Sequence, residues 1–448
     1  MPAISADSLF EDERRLRRAH VALAYLVHFY VHSGEHDATS PILIPSAVSL
    51  PLVAVSRELG IPPILTYADT VLWNWKLNTQ PSTLAVGRVR NNSALPTLGP
   101  PSTDISTRTS FTCSSDENCF YITSALIELR GVEALALMRR TLDETFLSDA
   151  LAARRVTKYL TCLAHVIEDI TQLILDVRKN CDPVVFYDKI RPWFHGAAAH
   201  GRMGWRFEGV ELGDREKQAW GVLSGPSAGQ SSLVHALDVF LGVEHRQHGS
   251  PNSDVSSSSN PIPHSHAAAT SASAAPPIPS SSTSTSAGPH PLYGSPDATF
   301  LQRMQQYMPR HHRAFLQYLG TMEKPVRRLV IKYAVISFPS QPARSFKGSP
   351  AMQDANEEGK LEAPLKRAYN DAVDALRRFR DAHIRIATLY IVTQSKRQHE
   401  VLSTPTPNET TPETSPKSKA IGTGGTGGTQ LVPFLKGARD NTLRTTLQ

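Results

Sequence analysis

Two consecutive amphipathic runs, residues 119–148 and 149–178, constrain this chain more than any other feature. In the second, Leu160, Leu163, Ile167, Ile170, Leu173 and Val177 recur every third or fourth residue, as on the buried side of a helix. Residues 8–34 carry a similar stripe of Leu16, His20, Leu23, Ala24, Leu26 and Val27 behind an acidic first turn. Leu65 to Leu77 resume a helical pattern, and residues 183–195 and 229–243 read as shorter helices. No alternating run long enough for a useful strand interrupts them. The expected fold class is all-α.

Proline and glycine mark the organisation. The 448 residues include 33 Pro and 26 Gly. Residues 41–63 are apolar but Pro-punctuated, and 78–110 are turn-rich, with Pro81, Pro96, Pro100 and Pro101. The expected division is a small N-terminal helical domain with its linker over 1–110, and a larger helical domain over 111–448. Within the latter, residues 246–297, 338–362 and 400–424 are expected to be disordered insertions. They are rich in Ser, Pro, Thr and Gly and cannot bury enough apolar surface to offset ordering entropy. No repeat recurs at a fixed period.

Several function classes drop out. No stretch of about 18 apolar residues is present, so no membrane helix is expected. The N-terminal residues are too charged for a signal peptide, which points to the cytoplasm. Cys113, Cys119, Cys162 and Cys181 lack the spacing of a disulfide framework or a structural zinc site. The net charge of +6 is spread among acids without a basic block, which argues against nucleic-acid binding. No heptad run or large exposed apolar stripe shows, so a monomer is expected.

The segment 364–393 carries the most chemistry. Leu365, Tyr369, Ala372, Val373, Leu376, Phe379, Ile386, Ala387, Tyr390 and Ile391 share one helix face, and His383 falls on it. The ordinary reading of His383 is a core histidine satisfied by hydrogen bonds; the sharper one is an axial haem ligand. Arg377, Arg378, Arg380 and Arg385 crowd the same helix, either as a solvated basic face or with one of them pairing a carboxylate. Arg380, one turn before His383, is best placed for that. Arg191 lies among aromatics in FYDKIRPWF, as a stacked Arg or a carboxylate clamp. The run GTGGTGGT over 422–429 lacks the ending of a phosphate loop and reads as a flexible lid. The pairs His195/His200 and His311/His312 do not present two imidazoles on one helix face.

Seven blocks, in order, resemble the indoleamine 2,3-dioxygenase family: GIPPILTYADTVLWNWKL (60–77), NCFYITSALIEL (118–129), FYDKIRPWFHG (186–196), SGPSAGQSS (224–232) with ALDVFLG (236–242), FLQRMQQYMPRHHRAFL (300–316), ALRRFRDAHIRIATLYI (375–391) and GTGGTQLVPFLK (425–436). The resemblance implies a small helical domain covering a larger one that holds haem b. It implies His383 as the proximal iron ligand, and Arg380 meeting a haem propionate with Asp238 as its acidic partner. Tyr67, Phe120 and Ser124 would line the distal pocket, with Phe186 packing against the indole. Arg191 would bind the substrate carboxylate. Ser227 and Ala228 would lie at the haem edge, Ala228 towards the substrate. Thr426 would close over the substrate's amino-acid end. The implied reaction inserts both atoms of O2 across the indole C2–C3 bond of L-tryptophan. It yields N-formyl-L-kynurenine, on the kynurenine route toward NAD, and an unidentified reductant would keep the iron ferrous. The distal residues would be Tyr, Phe, Ser and Ala because the family's chemistry needs no titrating distal histidine.

Three departures from the family pattern stand out. The first block begins at residue 60, earlier than in well-known relatives, so a shortened small domain is expected. Pro226 stands where some relatives have Gly, and Thr70 where relatives can have Cys. Two other readings compete with the enzyme: an oxygen-binding, myoglobin-like haem protein of this fold, and a helical interaction protein without haem. Arg191, Phe186 and the Thr426 loop favour the enzyme, since an oxygen carrier need not keep all three.

Overall fold

The structure, a computed structural model, describes residues 9–37, 39–78, 104–147, 149–197, 204–214, 216–217, 223–245, 299–322, 324–336, 351–403 and 430–447. Among these the fold is all-α, with four strands of three residues each.

The two long runs become α3 (Ser115–Leu147) and α4 (Ala150–Asp176), packed side by side. They break at Asp149, whose side chain accepts from the Ala152 N–H and caps α4. The α4 stripe is buried at Leu160, Leu163, Ile167 and Ile170. Against it lies α9 (Ala351–Ala387), whose buried face runs from Leu365 through Leu376. Three more helices, α5 (Ser232–Leu241), α7 (Arg310–Thr321) and α8 (Pro325–Ile336), complete that core. The helix α6 (Phe300–Gln305) opens with a Thr299–Gln302 capping box. The chain ends in α10 (Thr393–Ser403) and α11 (Leu431–Leu443), and α11 packs on α9.

At the N-terminal end, α1 (Glu13–Ser33) packs on α2 (Ser46–Leu59). Their apolar cluster also takes in Phe207, Leu223, Met304 and Tyr307. Strand β1 (Ile42–Ile44) pairs in parallel with β4 (Trp205–Phe207), and β2 (Trp75–Leu77) pairs antiparallel with β3 (Ile105–Thr107). His28 of α1 is a tie between these parts. Its Nδ1 donates to the Trp193 carbonyl at 2.7 Å and its Nε2 accepts from the Leu65 N–H at 3.3 Å. One nitrogen donates and the other accepts, so the ring is neutral. Burial drives its pKa down to about 3, with His32 adding to the effect.

Several local readings are corrected. The Pro-punctuated stretch contains a helix, α2, because Pro51 sacrifices one backbone bond while its ring packs in the core. Leu65–Leu77 is not one helix: a single wide turn, Ala68–Leu72, gives way to β2, which is paired to residues 105–107 of the expected linker. In α1, Leu26 is exposed because it falls off the 16–20–23–27 stripe. Residues 351–362, expected to be unstructured, form the first turns of α9, continuous in backbone with the core helix. Residues 400–403, also expected to be unstructured, form the end of α10; the segments 246–297, 338–350 and 404–424 lie outside the described residues.

Close approach of backbones demands glycine at Gly225, where an added Cβ would lie 1.8 Å from the Phe194 carbonyl oxygen. Gly225→Ala is therefore expected to destabilise the fold by about 1–3 kcal/mol. Gly320→Ala in α7 meets nothing within 4 Å and should stabilise by roughly 0.5–1 kcal/mol. Urea denaturation of both variants checks this; equal midpoints would contradict the packing. The neutral His28 sets a pH dependence. The unfolded chain takes up its proton near pH 6.5, the folded chain only near 3, so this contribution is intact above about 6.5 and lost as pH falls towards 3. His28→Gln should flatten the fall in denaturation midpoint between pH 7 and 4; an unchanged slope would refute the assignment.

Candidate active site

A cavity lies between α3, α5, α9 and α11, closed on one side by residues from 67–71 and 186–194. Three wide, π-type turns feed it: Ala68–Leu72 with Thr70 and Val71, Phe186–Ile190 with Phe186, and Thr388–Val392 with Tyr390 and Ile391. Tyr67 precedes the first. The extra residue in such a turn re-aims side chains that a regular helix would turn elsewhere.

One wall comes from α9. Arg380 and His383 are three residues apart and share its cavity face. His383 is half-buried and lines the cavity. No hydrogen bond joins it to any described residue; its ring neighbour is Phe379, 6.3 Å away. Burial first, and the Arg380 charge second, lower its pKa to about 4, so the imidazole is neutral near pH 7. A neutral ring with open nitrogens is a metal ligand in chemical type.

Arg380 pairs with Asp238 of α5 through its Nη2, and both are buried. Asp238 also accepts from His245 Nε2 at 2.8 Å. Burial alone would raise the Asp238 pKa, but Arg380 and His245 outweigh it and hold the carboxyl at about 2. Arg380 Nε is buried and has no partner among the described residues. An imidazole with no hydrogen bond to a described residue and a cation with an orphaned donor, one turn apart, fit a metalloporphyrin: His383 would hold its metal and Arg380 an acidic side arm.

The facing wall is aromatic. Phe120 of α3 and Phe186 lie 4.6 Å apart between ring centroids, with Phe194 beside them. Phe186 also meets Tyr390 edge-on at 5.6 Å. Ser124 stands one turn along α3 from Phe120 and donates to its carbonyl. Arg191 opens the turn Arg191–Phe194, with its guanidinium 5.2 Å over the Tyr187 ring. Burial lowers its pKa, yet an arginine stays cationic. Ser227 and Ala228 lie on the loop that leads into α5, where the Ser227 hydroxyl accepts from the Gly229 N–H.

The structure thus gathers Tyr67, Phe120, Ser124, Phe186, Arg191, Ser227, Ala228, Asp238, Arg380 and His383 around one cavity. Thr426 lies outside the described residues. Arg191 stacks on Tyr187, as the first of its two readings expects, and it lines the cavity. Of the basic crowd on α9, Arg377 and Arg378 pair with Asp374, Asp381 and Glu168 instead of the cavity. Sequence reasoning missed Glu128, Ser231, His235 and His245. Glu128 could have been found by its four-residue spacing from Ser124; His245 carried no local signal.

A family profile described as indoleamine 2,3-dioxygenase matches residues 1–445. An indoleamine 2,3-dioxygenase of Saccharomyces cerevisiae is 29% identical, over 98% of this chain and 80% of its own length. Indoleamine 2,3-dioxygenase 1 of Mus musculus is 28% identical, over 99% of this chain and 82% of its own. A 6-hydroxytryptophan 2,3-dioxygenase of Fusarium equiseti is 26% identical, over 99% and 84%. With that match running the length of a helical fold whose cavity pairs a bare imidazole with an aromatic wall, this chain belongs to the indoleamine 2,3-dioxygenase family.

Proposed function

We propose that the chain is a haem-dependent dioxygenase that opens the indole C2–C3 bond of L-tryptophan with O2, giving N-formyl-L-kynurenine. The observation that carries the reading is the bare, neutral His383 facing an aromatic wall across one cavity. His383 would hold the iron of haem b, and Arg380, braced by Asp238, would hold a propionate. Bound there, the haem supplies the metal centre at which O2 is activated.

The chain's own residues do the rest by orientation and exclusion. Phe120 and Phe186 hold the indole plane by stacking and edge contacts. Arg191, fixed over Tyr187, takes the substrate carboxylate as a planar, bidentate donor. Ser227 would face the cofactor, and Ala228, Ser124 and Tyr67 the substrate. The apolar lining keeps water from the reacting atoms. A relative named for 6-hydroxytryptophan makes ring-substituted tryptophans the nearest alternative substrates.

Purified protein, reconstituted with haem and reduced, should show a Soret band and form N-formylkynurenine from L-tryptophan and O2. Stable oxygen binding with no product would support an oxygen carrier instead. His383→Ala should lose the Soret band while circular dichroism stays helical; full haem occupancy would overturn the ligand assignment. Arg191→Ala should keep haem but lose on the order of 10–100-fold in kcat/KM, since a charged hydrogen bond contributes roughly 1.5–3 kcal/mol. Unimpaired turnover would mean the carboxylate is held elsewhere.

A further inference from the structure

One carboxyl behind the cavity wall has no role in the reading above. Glu128 follows Ser124 by four residues on α3, so both lie on the same side of the helix. Its Oε1 accepts two hydrogen bonds, from Tyr67 Oη at 2.9 Å and from Ser231 Oγ at 2.6 Å. Those donors come from segments far apart in the chain, and both residues line the cavity. Tyr67 is held a second time by the same loop: its N–H donates to Gln230 Oε1 at 2.8 Å, and Gln230 Nε2 donates to the Gly225 carbonyl at 2.9 Å. The Tyr67 hydroxyl is thus committed to Glu128, and its ring is left to form the wall.

No cation among the described residues pairs with Glu128. Burial raises its pKa, against the opposing pull of Ser231 and Tyr67. A half-buried carboxyl kept without a counter-ion costs stability that an apolar residue there would not. The two hydroxyls it joins account for its presence: beside the Tyr67 N–H bond to Gln230, it makes a second link between the Tyr67 turn and the Ser231 loop.

We propose that Glu128 is a positioning residue: by joining Tyr67 to Ser231 it sets the spacing of the substrate side of the cavity and hence the placement of the indole. The inference rests on the dioxygenase reading for its activity readout and on indole binding for an independent one. Glutamine keeps an acceptor oxygen for both hydroxyls and mimics a neutral acid in shape; alanine removes the bridge.

The experiment compares full-length wild type, E128A, E128Q, Y67F and the E128A/Y67F double variant. Haem content, thermal midpoint, kcat and KM for L-tryptophan are measured, together with its Kd from the Soret shift of the ferric protein. E128A is expected to keep haem and lose at least tenfold in kcat/KM, through both a lower kcat and a weaker Kd. E128Q should recover most of it. Y67F should resemble E128A, and the double variant should be no worse than either single, because one linkage is cut once. A merely structural role would lower the midpoint and leave kcat per haem unchanged, which overturns the proposal. So would E128Q failing as badly as E128A, or losses that multiply in the double variant. If wild type binds haem but forms no product, the dioxygenase reading fails by itself. The proposal is then decided by Kd: weakened in E128A and recovered in E128Q supports it, and equal values refute it. Should E128A not fold, Y67F and Ser231→Ala cut the same bridge and are judged by the same kcat and Kd criteria.

Discussion

The packing of α9 along α4 is the constraint on which the site depends. For its first turns beyond Pro364 the buried face of α9 is ordinary core, from Leu365 through Leu376. The same face then runs past Phe379 and Arg380 to His383, where the neighbouring helices part and leave a cavity. A rigid helix anchored in the core therefore carries the imidazole to a fixed place. The ring reaches it with no hydrogen bond to a described residue and with its charged form disfavoured by burial. An imidazole left without such bonds inside a protein is costly, and a ligand that completes it offsets that cost.

The cavity separates its charges. On the α9 side, Arg380, Asp238 and His245 form a connected group in which the carboxylate is held ionised by two partners. On the far side, aromatic rings dominate, and the polar groups bind one another in preference to the cavity. Tyr67 and Ser231 spend their hydroxyls on Glu128, and Ser124 bonds the carbonyl of Phe120. Arg191 is the cation of that side, stacked on Tyr187. The arrangement offers an amphipathic ligand an apolar surface with a cation at its edge.

Helical periodicity is a local property, and it made the helices legible. The α4 stripe and the α9 face, with His383 and Arg380 on it, could be read from residues three and four apart, and the site blocks came from a resemblance in sequence order. Where neighbours in space decide conformation, the reading failed. Pro51 looked like punctuation but is tolerated inside α2, and Trp75–Leu77 looked helical until its pairing with residues 105–107 made it a strand. Glu128 carries no local sign of its partners Tyr67 and Ser231.

The helical class, the faces of the long helices, the family and many of the cavity-lining residues were legible along the chain. How those residues are partnered was settled by packing between distant segments. Arg380 meets Asp238 across 142 residues, Glu128 meets Ser231 across 103, and Tyr67 reaches Glu128 across 61. Spacing along the chain sets which side of a helix a residue faces. Which other segment packs there, and whether a buried imidazole or carboxyl finds a partner, depends on the joint packing of many segments, and no local pattern records it.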